Sequence, residues 1–153
     1  MKLVKRILTV IVIAFVAIQF VRPDRNIASK VSSTDISGVF SMPDSVKVIL
    51  QNACYDCHSN NTRYPWYVNI QPAGLWMAGH IKEAKGDLNF SEFGSYTPMK
   101  QIGKLEGVAG VLEKDFMPLK SYKMMHKEAR LTADEKSLVI NWAQKSANSI
   151  SEK

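Results

Sequence analysis

The stretch Pro43-Asp44-Ser45-Val46-Lys47-Val48-Ile49-Leu50-Gln51-Asn52-Ala53-Cys54-Tyr55-Asp56-Cys57-His58 carries a structural signal and a chemical one. Val46, Ile49, Leu50, Ala53, Cys54 and Cys57 recur at intervals of three and four, the period of one face of an α-helix. A helix is therefore expected to start after Pro43, with Asp44 or Ser45 as its cap. Both cysteines then share a face with the residues that build the core.

Helical periodicity continues downstream. A second helix is expected over Leu75 to Lys85, ending at Gly86, and a third from about Pro98 to Lys114, with Ile102, Leu105, Ala109 and Leu112 on one stripe. Thr132 and Glu135 have capping-box spacing, and Leu138, Val139, Trp142 and Ala143 give the last helix its apolar side. No segment alternates polar and apolar residues long enough to predict a strand, so the fold class is all-α. Two long stretches, Ser59 to Gly74 and Asp115 to Leu131, separate these helices; such connections in a compact domain usually organise a function or a bound group.

Cysteine usage narrows the chemistry. The chain has two cysteines, both in the run Cys54-Tyr55-Asp56-Cys57-His58. In a C-x-x-C-H site each thiol adds its S–H across a haem vinyl group to form a thioether, and the adjacent histidine supplies the proximal nitrogen to iron. Two residues between cysteines on a helical turn bring the sulfurs within reach of two neighbouring vinyls. A redox-active dithiol normally opens a helix beside a strand, whereas this motif closes a helix in an all-α chain. Zinc would need four ligands, drawing on His58, His80 or His126 at irregular spacing. A disulfide closing so small a loop gains little and leaves His58 without a role.

The N-terminus bears on compartment. Lys2, Lys5 and Arg6 precede an apolar run from Ile7 to Val21, the order of an export signal. These 15 residues fall short of the roughly 20 that usually span a bilayer, although Leu3 and Val4 lengthen the run. No small-residue cleavage signature follows, so residues 1–21 read as a signal peptide or, by preference, an uncleaved anchor that sends the rest of the chain outward. Residues 22–42 are rich in Ser, Asp, Asn and Thr and read as a tether, and residues 43–150 as one folded domain. The three basic residues supply half of the net charge of +6. The remaining lysines lie among acids, which excludes a nucleic-acid footprint. Export agrees with the motif, because haem is joined to such proteins outside the bacterial cytoplasmic membrane.

The run Cys54 to Thr62, followed by Tyr64-Pro65-Trp66-Tyr67, Leu88-Asn89-Phe90-Ser91, Met117-Pro118-Leu119, Tyr122, His126 and Ala129-Arg130-Leu131-Thr132, resembles the bacterial haem-binding domain family of small exported cytochrome-c-like proteins. The resemblance spans about Val46 to Trp142. It implies a cytochrome-c-like helical fold with one covalently attached haem c, in a family named for its cofactor rather than for a reaction.

A second axial ligand would set the behaviour of that haem. Met117, before Pro118 in the loop preceding the last helix, resembles the position of the methionine ligand in c-type cytochromes. Pro118 disfavours helix at Met117 and keeps the chain extended. His80 is the alternative, while His126 reads as a local hydrogen-bonding residue and Met77, Met124 and Met125 as core. Tyr64, Trp66 and Tyr67 suit a haem wall, and Arg63 is either a propionate partner or an exposed cation. With a strong sixth ligand the chain is an electron carrier exchanging with redox partner proteins in the periplasm or membrane. With a weak one it is a gas sensor or a peroxide-reducing enzyme, a reading ranked lower because no acid-base pair accompanies Met117.

Overall fold

The computed structural model describes residues 1–152, and among them the chain is all-α. Eight α-helices follow in order: α1 (Lys2–Ile18), α2 (Ile36–Val39), α3 (Asp44–Ala53), α4 (Tyr55–His58), α5 (Ala73–Asp87), α6 (Pro98–Glu113), α7 (Lys120–Met125) and α8 (Ala133–Ser151). Short 3₁₀ turns cover Trp66–Asn69, Phe90–Ser95 and Lys127–Ala129.

The last helix forms as its sequence dictates. Thr132 Oγ1 accepts from the Glu135 backbone N–H at 3.2 Å while Glu135 Oε2 accepts from the Thr132 N–H at 2.8 Å, closing the capping box. Val139, Trp142, Ala143 and Ala147 are buried against Leu105, Val108 and Leu112 of α6. Leu138 stays on the outer side, 45% exposed, because it lies one residue off that stripe. Ile49 and Leu50 of α3 join the same core, whose centre is the fully buried pair Phe90 and Phe93. Each such side chain contributes roughly 1.5–3 kcal/mol relative to exposure.

Local chemistry moves several boundaries. Neither Asp44 nor Ser45 caps α3: Pro43 occupies the cap position without a side-chain bond, and Asp44 lies in the first turn, where its charge suits the helix dipole. The helix does not run through the motif. Cys54 takes φ −127° and ends α3, so Tyr55–His58 form a separate turn that still closes through His58 N–H to Cys54 O at 2.9 Å. α5 continues one residue past Gly86 to Asp87. The two long stretches between helices contain α7 and two of the 3₁₀ turns.

Residues 22–42, whose composition reads as a tether, make specific bonds to the domain. Ile27 and Asn61 form an antiparallel bridge, flanked by Ala28 N–H to Asn60 O and Thr62 N–H to Asn26 O, both at 2.9 Å. Further along, Ile36 is fully buried in the main core, and Asp35 caps α2 by accepting from Ser37 N–H at 3.0 Å. α1 differs, since none of its 17 residues is buried. Among the described residues no helix is long and apolar enough to cross a membrane.

Candidate cofactor site

α4 points its imidazole into a cleft. His58 Nδ1 lies 3.1 Å from the Leu88 carbonyl oxygen. A carbonyl only accepts, so Nδ1 carries the hydrogen and Nε2 keeps a free lone pair. Phe90 meets the same ring edge-on at 6.3 Å and stacks on Tyr55 at 5.3 Å, which fixes both residues of the turn against the core.

Cys54 and Cys57 are both free and line one cavity of about 340 Å³ with His58, His80, Met117 and Leu119. An adjoining cavity of about 200 Å³ shares Cys57, His80 and Leu119 with it and adds Tyr67, Trp76 and Met125. Burial, followed by the neighbouring Cys57, pushes the Cys54 thiol up to about 12. Burial and then Asp56 push Cys57 up to about 11. At neutral pH each thiol therefore keeps the S–H that thioether formation consumes. No three His, Cys, Asp or Glu side chains among the described residues converge to hold a metal ion by themselves.

The two residues between the cysteines hold the turn in place. Asp56 is buried, and its Oδ1 accepts from the Arg63 backbone N–H and Nε, each at 3.1 Å. Its Oδ2 accepts from Arg63 Nη2 at 3.3 Å and from the Tyr122 hydroxyl at 2.7 Å. The Asp56 carbonyl receives Thr62 Oγ1–H at 2.6 Å, and Thr62 accepts in turn from Asn26 Nδ2 at 2.9 Å. Tyr55 donates to Asp35 Oδ1 at 3.1 Å. Burial, with the Asp56 bond behind it, raises Tyr122 well above the ordinary phenol range, so it remains a donor.

Met117 reaches the cleft through the end of α6. Asp115 adopts φ +54°, a left-handed conformation that Asp tolerates better than most residues, and Phe116 N–H bonds back to Val111 O at 2.9 Å. The Asp115 carboxylate takes Lys136 at 2.8 Å and Lys123 at 3.4 Å, so the reversal is tied to α7 and α8. His80 lines both cavities. Its Nδ1 is 3.0 Å from Trp76 O, again leaving Nε2 free, and its ring lies 4.1 Å from that of Trp76.

Other residues singled out from sequence lie elsewhere. Of the three aromatics, Tyr67 lines the cleft. Tyr64 sits outside it, accepting the Asn26 N–H at 2.7 Å beneath Arg25, and Trp66 is 72% exposed. Arg63 points its charge at Asp56 and at the Gln51 carbonyl. His126 has both ring nitrogens engaged, Nε2 with the Tyr67 hydroxyl at 3.0 Å and Nδ1 with Glu128 at 3.5 Å. Met77 is core, whereas Met124 and Met125 are exposed because α7 buries no residue. Asp56, Tyr122 and Leu88 carry part of the family resemblance, but their roles in the site are not legible in the sequence: a backbone oxygen has no sequence signature, and an acid between two cysteines has none until its partners are in place.

Two thiols, an imidazole with a free Nε2 and a facing thioether therefore line one cleft, a donor set that fits haem. Comparison with known proteins finds no match among curated proteins or solved structures. The family model described as "haem-binding domain" matches residues 13–145. That match covers nearly the whole chain, and the chain belongs to the haem-binding domain family.

Proposed function

We propose that this chain is a c-type electron carrier with one haem, held by thioethers to Cys54 and Cys57 and by His58 Nε2 at iron, on the outer side of a bacterial cytoplasmic membrane. The observation that carries this reading is the His58 Nδ1 bond to Leu88 O, which aims Nε2 into a cavity that both thiols line. When bound, the haem supplies one-electron chemistry at its iron. The protein's part is to position. Leu88 O orients the proximal imidazole and increases its basicity, as outer hydrogen bonds to ligating histidines do. Asp56 fixes the backbone between the two sulfurs.

In this proposal Met117 would supply the second protein donor to the haem iron, since it lines the same cavity as His58 and would be the softest donor left there once both thiols had joined the vinyls. One observation favours a second assignment. His80 also lines the cavity with Nδ1 bonded to a carbonyl and Nε2 free. Either ligand would close iron to substrates, which supports electron transfer over gas binding or peroxide reduction.

Export and anchoring rest on the basic residues in the first turns of α1 and on the exposure of its apolar side chains. A pyridine haemochrome assay on the purified protein is expected to give the spectrum of a haem with both vinyls saturated. Changing Cys54→Ala and Cys57→Ala together should remove all haem that survives denaturing electrophoresis. Haem retained covalently in that double variant would overturn the proposal.

A further inference from the structure

α1 is joined to the domain by a clamp rather than by free chain. Gln19 Nε2 donates to Gln71 O at 3.1 Å, and Gln71 N–H donates back to Gln19 Oε1 at 2.9 Å. Arg22 Nη1 reaches Asn69 O and Arg25 Nη2 reaches Asn69 Oδ1, each at 2.7 Å. Gln71 is itself buried and receives the Leu75 N–H, which roots the clamp in α5. A Cβ at Gly74 would collide with the Val68 carbonyl oxygen, so the turn Trp66–Asn69 and α5 lie close together at this point. Four bonds thus fix the end of α1 to residues 69–71.

Large apolar side chains surround that clamp in water. Phe20, next to Gln19, is 83% exposed, and Trp66 and Ile70, close to Asn69 in the chain, are 72% and 45% exposed. Arg22 and Arg25 stand among them. An apolar cluster rimmed by cations at the end of an apolar helix has the composition of a membrane interface, where tryptophan rings sit at headgroup depth and arginines meet phosphate. Length points the same way. The 17 residues of α1 extend about 25 Å against a hydrocarbon core of roughly 30 Å, a shortfall that draws the flanking residues into the interface.

We propose that the face carrying Phe20, Trp66 and Ile70 rests on the phospholipid surface, so that the domain is held against the bilayer in one orientation. This deepens the anchored reading above and depends on it. Because the turn Trp66–Asn69 contains the cleft residue Tyr67 and packs against α5, the cleft is then held at a fixed height above the membrane.

The test places a photoreactive benzophenone amino acid, one site at a time, at Ile11, Trp66, Ile70 or the exposed Met99 of α6. The full chain is reconstituted in vesicles of phosphatidylethanolamine and phosphatidylglycerol. After irradiation, mass spectrometry is expected to show phospholipid adducts from positions 11, 66 and 70 and none from 99. Two reporters at exposed positions keep the result readable if one variant folds poorly. Adducts from position 11 alone would overturn the docked face and leave the anchor standing. Loss at position 11 as well would overturn the anchor, and the docked face with it. Equal lipid adducts from 66 and 99, or adducts to a second copy of the chain from 66 and 70, would also overturn the proposal.

Discussion

The two walls of the cleft are built to different standards. The His58 wall stands on the main core: Leu88 O orients the ring, Phe90 meets it edge-on and stacks on Tyr55, and Asp56 accepts four hydrogen bonds from Arg63 and Tyr122. On the facing wall His80 and Trp76 belong to α5, whose Met77 and Ile81 form only a small cluster with Val68. Met117 follows α6 and Met125 ends α7, which buries no residue; Trp76 and Met125 are more than half exposed. The His58 side is held by the main core, whereas the opposite side is held by few buried contacts. Such a division suits a cofactor bonded on one side and tuned on the other.

The sharpest way to break that contrast is Asp56→Ala. It leaves the Tyr122 hydroxyl and the Arg63 backbone N–H without their acceptor, and bonds to a charged group are worth about 1.5–3 kcal/mol. Arg63 is more than half exposed and recovers water, so the expected total loss is about 2–3 kcal/mol in urea unfolding. Asp56→Asn should fall between, since its oxygen still accepts. A loss below about 0.5 kcal/mol would show that the attachment turn does not depend on this carboxylate.

Met117→Ala probes the softer wall and should cost about 1 kcal/mol, because the side chain is only half-buried. Its larger effect is spectroscopic. The ferric protein should lose its weak charge-transfer band at the red edge of the visible range, its potential should fall, and carbon monoxide should gain access to iron. His80→Ala should leave all three properties unchanged. The opposite pattern would assign the sixth position to His80.

Alkaline pH gives the smallest and most graded test. Burial raises Tyr122 and Tyr55 above the ordinary value of 10.0, each with a carboxylate acceptor adding to the shift. The unfolded chain therefore ionises first. Stability contributed by these phenols is fully present below pH 10 and is lost as pH rises beyond it. Tyr122→Phe should flatten the decline of the unfolding midpoint above that pH; an unchanged slope would mean that Tyr122 stays solvated.

Much of this was legible in the chain. The capping box at Thr132 and Glu135 and the proline at the start of α6 are local signals, and both helices form within a residue of where those signals put them. The break at Cys54 was not, because its apolar spacing continues that of α3 while its backbone leaves helical geometry. Polarity also misled: residues 22–42 look like a linker from their polar composition, yet the backbone of Asn26, Ile27 and Ala28 pairs with Asn60, Asn61 and Thr62, and the Asn26 amide donates to Ser59 O and Thr62 Oγ1. Tyr64, Trp66 and Tyr67 are adjacent in sequence yet face three environments, since a proline and a 3₁₀ turn rotate each differently.

Sequence by itself determined the all-α class and the family, and singled out Cys54, Cys57 and His58 as candidates, since periodicity, caps and motif spacing are properties of neighbouring residues. Which nitrogen of His58 is free, what secures Asp56, and that His80 lines the same cavity as Met117 with its Nε2 free were decided only by the tertiary structure. Those features depend on Leu88, Arg63, Tyr122 and Trp76, and three of these four reach the site from other turns of the chain, at separations that no local pattern encodes.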